Sequence, residues 1–176
     1  MTDSLTTARL RWGILGTGSI AQTFARDLAT SARGELVAAG SRSLARAMAF
    51  VAETRADGVA AHASYESLLA DPNVEAIYIA TPHSAHVEWA ILAARAGKHL
   101  LVEKPLGMNA AQAEAIVDAA EANGVFLMEA FMYRCHRQTA LICDLVREGA
   151  IGDVRMVHAN FGFHWPVPFD AAHRLL

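Results

Sequence analysis

The chain has 176 residues, of which 53% are hydrophobic and 19% charged, and its formal net charge is −3. That balance excludes a disordered or collagen-like chain and supplies enough apolar material for one substantial buried core. With no long block of one sign, it also argues against nucleic acid or an anionic membrane surface as partner.

Apolar runs of strand length alternate with stretches of helical periodicity. In chain order the pattern predicts a strand over 10–15, a helix over 19–31, a strand over 35–41 and a helix over 44–53. A short strand follows at 60–63, then one or two helical turns at 65–69. A strong strand over 75–80 precedes a helix over 85–96. The alternation closes with a strand at 99–102, a helix at 110–123 and a strand at 125–128. Continuous apolar strands joined by helices imply a parallel sheet covered on both faces, with right-handed crossovers. The predicted class is therefore α/β, a doubly wound Rossmann sheet.

Local punctuation agrees with these limits. Asn109 and Gln112 stand at capping-box spacing, and Asn123-Gly124 is a helix stop. Asp71-Pro72-Asn73 is a turn just before the strand at 75–80, and Ala96-Gly97-Lys98 ends a helix before the next strand. Of the 15 basic residues 13 are Arg, so the only two lysines, Lys98 and Lys104, can be weighed singly. Lys98 reads as a surface charge at a helix end.

Beyond Met128 the pattern changes. An amphipathic helix over 139–148 is followed by a period-two run, 154–161, which predicts a half-exposed antiparallel strand. An aromatic segment, 161–169, comes after it. We expect a dinucleotide-binding domain over 1–130 and, over 131–176, a connecting helix and the first strand of an incomplete α+β domain, since one strand makes no stable sheet. Cys135 and Cys143 form no disulfide framework and read as buried thiols in one helix. No metal-ligand constellation is present in the sequence. Neither a signal-peptide core nor an apolar run of about 18 residues is found, so a cytoplasmic location is expected.

Gly16-Thr17-Gly18-Ser19-Ile20-Ala21 fits G-x-G-x-x-A between the first strand and the first helix. The first Gly permits a tight turn, the second admits a pyrophosphate, and Ala21 lets helix and sheet pack closely. The helix N-terminus then favours the phosphate charge. An NAD site places an acid at the end of the second strand, but this chain has Ser41-Arg42-Ser43, with Arg46 one helical turn on. A guanidinium suits a 2′-phosphate, so NADP is favoured and NAD is the alternative.

Three further segments lie just past predicted strand ends: Thr81-Pro82-His83-Ser84-Ala85-His86, Glu103-Lys104-Pro105 and Tyr133-Arg134. With the glycine turn, in this order and spacing, they resemble the Gfo/Idh/MocA oxidoreductase family. Met128-Glu-Ala-Phe-Met-Tyr-Arg134 further resembles its branch of NADP-dependent dihydrodiol and D-xylose dehydrogenases. The resemblance implies hydride transfer between NAD(P) and a sugar, polyol or diol, with homo-oligomers in the full-length protein. It implies Lys104 as the catalytic residue near the nicotinamide and the reacting oxygen, and Glu103 near the nicotinamide ribose. Thr81, Pro82 and His86 would line the cofactor cleft, Arg134 would approach the nicotinamide end, and a cis Lys104–Pro105 bond would aim the lysine. His83 and His86 read equally as residues that begin a helix, and Glu129 as structural.

The chain departs from the family pattern in its second domain, where the family's larger antiparallel sheet is mostly absent. The D-x-x-x-H element expected in the second domain is not found, and Asp170-Ala-Ala-His173 has the wrong spacing. His164, Trp165, Phe161 and Phe163 are compatible with a substrate pocket or an aromatic core strand. The competing readings are a cofactor-binding module without turnover, and a family member that oxidises its substrate transiently during hydrolysis.

Overall fold

The computed structural model describes residues 8–54 and 56–162. The chain divides into two compact units, Met1–Ala130 and Phe131–Leu176.

The first unit contains six strands, β1 (Leu10–Leu15), β2 (Gly34–Gly40), β3 (Ala60–His62), β4 (Ala76–Ile79), β5 (His99–Val102) and β6 (Leu127–Glu129). They form one sheet in the order β3-β2-β1-β4-β5-β6, and every neighbouring pair is parallel. The crossovers are α1 (Ser19–Leu28), α2 (Leu44–Thr54), α3 (Tyr65–Leu69), α4 (His86–Arg95) and α5 (Ala110–Ala122). Strand order reverses between β1 and β4, where a doubly wound sheet opens its ligand crevice at the strand C-termini.

Alternate residues of each strand face opposite layers, and both layers are apolar. Leu15, Ala38, Ile77, Ile79, Leu100 and Val102 pack with Leu68, Ala90, Ala93 and Ile116 of α3, α4 and α5. Ile14, Ala39 and Tyr78 pack on the other side with Ala21 and Ala25 of α1 and Phe50 of α2. Burial on both faces explains why the strands read as unbroken apolar runs. The alanines at these contacts let helices lie close to the sheet.

The predicted helix stops and starts take definite form. Asn109 accepts the Gln112 amide at 3.0 Å, and the Gln112 side chain returns to the Met108 N–H at 2.9 Å. Gly124 has φ 63°, and the Val125 N–H reaches back to the Ala120 carbonyl at 3.0 Å, a Schellman closure. Strand limits differ from expectation by one or two residues, and the start of the predicted helix 85–96 is a 3-10 turn, His83–Ala85.

Lys98 is not a surface charge. It is 8% exposed, and its Nζ donates to the carbonyls of Asp71 at 2.7 Å and Val74 at 2.8 Å. Burial pulls the ammonium below its ordinary value, with the Asp71 carboxylate acting the other way. Asp71 also accepts the Asn73 N–H at 2.8 Å and contacts His62 Nε2 at 3.0 Å. The lysine therefore ties the turn before β4 to the start of β5. Helix-end position suggested exposure, because the spatial neighbour 27 residues away is invisible to local pattern. A second tie joins β1 and β4: Glu75 accepts from the Arg11 backbone at 3.0 Å and from its guanidinium at 3.2 Å.

The second unit, within the described residues, holds a 3-10 turn, Met132–Cys135, and one helix, α6 (Arg137–Arg147). No strand is formed over 154–161 among the described residues, because alternation alone cannot satisfy a strand's backbone groups. Cys135 and Cys143 are exposed and belong to separate elements, so they are not buried thiols of one helix. Leu141, Ile142, Leu145 and Val146 are likewise exposed. His164, Trp165 and Phe163, and the segment Asp170-Ala-Ala-His173, lie outside the described residues. Among the described residues no helix is long and apolar enough to cross a membrane.

Two stability outcomes are expected. Lys98→Met leaves a buried carbonyl and a part-buried one without their donor and should cost about 2 kcal/mol in urea unfolding; a loss below ~0.5 kcal/mol would remove the clamp from the fold's support. The Arg11 backbone and side-chain hydrogen bonds hold the Glu75 carboxyl below its ordinary 4.5. The stabilisation from that depressed value is complete above 4.5 and is lost as pH falls through the lower folded value. Thermal melting across that window should therefore fall less steeply for Glu75→Gln than for the parent.

Candidate functional site

The glycine turn leaves β1 at the switch point. Gly16 has φ 104°, its N–H donates to the Gly40 carbonyl at 3.1 Å, and an added Cβ would stand 2.8 Å from the Ala80 carbonyl oxygen. Only glycine meets both demands. A Cβ at Gly18 would instead meet nothing within 4 Å, so the surface there is clear for a close-approaching group. Gly18 is also the N-cap of α1, which has no side-chain cap; the first helical bond runs from the Gln22 N–H to the Gly18 carbonyl. An uncapped helix start behind an open glycine suits a pyrophosphate.

Around this turn the sheet edge brings several expected residues together. Thr17 and Arg46 line one open groove of about 290 Å³, with Phe50 and Glu53. The Gln22 side chain hydrogen-bonds Glu53 across α1 and α2. At the end of β2, Ser41 is buried and its N–H donates to the His62 carbonyl at 3.2 Å, while Arg42 is exposed. Burial pushes the Tyr65 hydroxyl up, and the nearby Arg42 and Arg46 guanidiniums pull it down. Two cations thus converge beside the β2 end, where an acid would otherwise contact ribose hydroxyls.

Thr81 follows β4, and its buried hydroxyl has no hydrogen-bond partner among the described residues. Its backbone lies against the glycine turn, 3.4 Å from the position of a Gly16 Cβ. Pro82 caps the 3-10 turn that carries His83. His86 is placed differently from the expectation that it lines a cleft. It is 0% exposed, with Nδ1 2.8 Å from the Pro105 carbonyl oxygen and Nε2 3.1 Å from that of Thr81. Its ring is consumed by backbone contacts, so it presents no face to a ligand.

Glu103, Lys104 and Pro105 leave β5 at the same edge. Glu103 accepts the Tyr78 hydroxyl at 2.6 Å and the Lys104 N–H at 3.3 Å. The Lys104–Pro105 bond is cis, and Lys104 is exposed. Glu129, at the end of β6, accepts the Leu106 N–H at 2.8 Å. Sequence reasoning missed Tyr78 as the residue that orients Glu103. The apolar run of β4 disguised it: its ring stacks on Phe24 with centroids 4.1 Å apart, and only the hydroxyl reaches the site. Arg134 belongs to the second unit, in the 3-10 turn Met132–Cys135.

The fold and this edge agree with what the chain is similar to. It is 42% identical over 156 residues to trans-1,2-dihydrobenzene-1,2-diol dehydrogenase of Mus musculus, covering 88% of the chain and 46% of that protein. It is 40% identical over 185 residues to D-xylose 1-dehydrogenase (NADP(+)) of Hypocrea jecorina, covering 95% of the chain and 47% of that protein. A 3-ketoreductase from Actinomadura kijaniata, solved with NADP, superposes with a TM-score of 0.75 at 36% identity, over 84% of this chain and 47% of the other. The chain thus spans about half the length of the curated relatives it matches. Residues 10–131 match the Gfo/Idh/MocA oxidoreductase family with its NAD-binding Rossmann fold, and the chain belongs to that family.

Proposed function

We propose that this chain is the cofactor-binding part of an NADP-dependent oxidoreductase that moves a hydride between the nicotinamide and a sugar, polyol or diol. The observation that carries the reading is one sheet edge. There the open glycine turn, the Arg42–Arg46 pair and the Glu103–Lys104–Pro105 turn all follow strand C-termini around the β1/β4 switch point. The relatives named for diol and xylose oxidation support the substrate class.

Within this reading the roles follow from charge and position. Gly16, Thr17, Gly18, Ser19 and Ile20 hold the pyrophosphate at the start of α1. Ser41, Arg42 and Arg46 bind the 2′-phosphate, whose oxygens match a planar guanidinium fork. Thr81 and Pro82 line the cleft, and Glu103 faces the nicotinamide ribose. Bound there, the nicotinamide supplies or accepts the hydride. The Lys104 ammonium stabilises negative charge developing on the substrate oxygen and is placed to pass a proton to or from that oxygen.

Cofactor titration of the chain tests the first half of this reading. NADPH should bind more tightly than NADH, and Arg42→Ala should weaken NADPH about tenfold with little effect on NADH. Equal affinity for both would exclude the 2′-phosphate assignment. Under turnover, Lys104→Ala should lower hydride transfer about 10²-fold while NADPH binding persists; near-normal rates would remove Lys104 from the chemistry. NADPH binding without oxidation across a sugar and aldehyde panel would favour a binding module.

A further inference from the structure

Pro105 C=O and Leu106 N–H belong to the same peptide plane, the one that directly follows Lys104–Pro105. Its two polar ends are held by different elements. His86 of α4 binds the carbonyl at 2.8 Å, and Glu129 of β6 binds the N–H at 2.8 Å. Only a donor can satisfy a carbonyl, and the shorter of the ring's two carbonyl contacts is taken as the one that Nδ1–H donates to. The second ring nitrogen lies 3.1 Å from the Thr81 carbonyl oxygen, a contact that packs the ring against the end of β4 without a second hydrogen bond, since a ring with its one proton on Nδ1 has no donor left. On the other side of Lys104, Glu103 is held by Tyr78. The backbone around the exposed lysine is therefore fastened before and after it, from β4, α4 and β6.

We propose that His86 and Glu129 are positioning residues, gripping the Pro105–Leu106 peptide from two elements so that Lys104 is held toward the nicotinamide end. The proposal rests on the assignment of Lys104 given above. Two features set this grip apart from ordinary loop support. A fully buried histidine whose nitrogens both face backbone carbonyls is committed to orientation, since it leaves no nitrogen for a ligand. A carboxylate reaching a lone loop N–H 23 residues away fixes a single plane, where a main-chain ladder would fix a strand. Displacing a reacting group by about 1 Å costs of order 10² in rate, which is the scale of error such a grip suppresses.

The test separates the grip from the lysine's own role. In the 176-residue chain, the Leu106 amide should exchange slowly in the parent and in Glu129→Gln, whose amide oxygen still accepts. In Glu129→Leu it should exchange about tenfold faster. The fluorescence of bound NADPH then reports the nicotinamide surroundings. Lys104→Ala should shift the bound emission with an affinity change under about threefold. His86→Leu and Glu129→Leu should reproduce that shift, and His86→Asn, which keeps a donor near the Nδ1 position, and Glu129→Gln should return the parent signal. A shift for Lys104→Ala with parent-like emission in both leucine variants overturns the grip and leaves the lysine assignment standing. Parent-like emission for Lys104→Ala, or no NADPH binding by the parent, overturns the assignment and the grip with it. If His86→Leu does not fold, the Glu129 pair decides the matter by itself.

Discussion

The structure depends on how closely β1 can be approached. It lies between β2 and β4, is covered on both faces, and ends in a turn that passes against the backbone after β4. Side chains would keep these segments apart: a Cβ at Gly13 would meet Ile77 and Val74 at 2.9 Å, and one at Gly16 would meet the Ala80 carbonyl oxygen at 2.8 Å. Because both positions are glycine, the sheet closes around β1 and chain direction divides there. The crevice at its C-terminal edge follows from that division, and with it the meeting of segments from residues 16, 42, 81 and 104.

The same close packing places two identical side chains under opposite conditions. Lys98 enters the N-terminal side of the sheet and spends its donors on two carbonyls, losing proton affinity to burial. Lys104 leaves the C-terminal side, exposed, on a turn whose backbone is tied down by other residues. One lysine is a constraint on the fold, and the other is constrained by it. Their chemistry differs because solvent access and partners differ, not because of the residue type.

The polar groups at the edge also divide by burial. Arg42 and Lys104, which would meet charge on a ligand, are exposed, whereas Tyr78 and His86 are buried and direct their polar atoms at neighbouring protein groups. Such an arrangement holds a site ready without requiring the ligand to order it, and the cost of organisation falls on folding rather than on binding.

Strand and helix order, the glycine turn, the absence of an acid after β2 and the Glu103-Lys104-Pro105 turn were legible in the sequence, because each depends on near neighbours or on period. The strand expected over 154–161 was not formed, since alternation describes a half-buried surface and cannot supply a pairing strand. The burial of Lys98, the Tyr78–Glu103 contact and the fastening of the Pro105–Leu106 peptide join residues 19 to 27 positions apart. Sequence by itself determined which groups could bind a dinucleotide and in what order they arrive at the sheet edge. Only the tertiary structure decided which of them are spent on each other and which face outward, because hydrogen-bond partners and solvent exposure are set by packing across strands and helices.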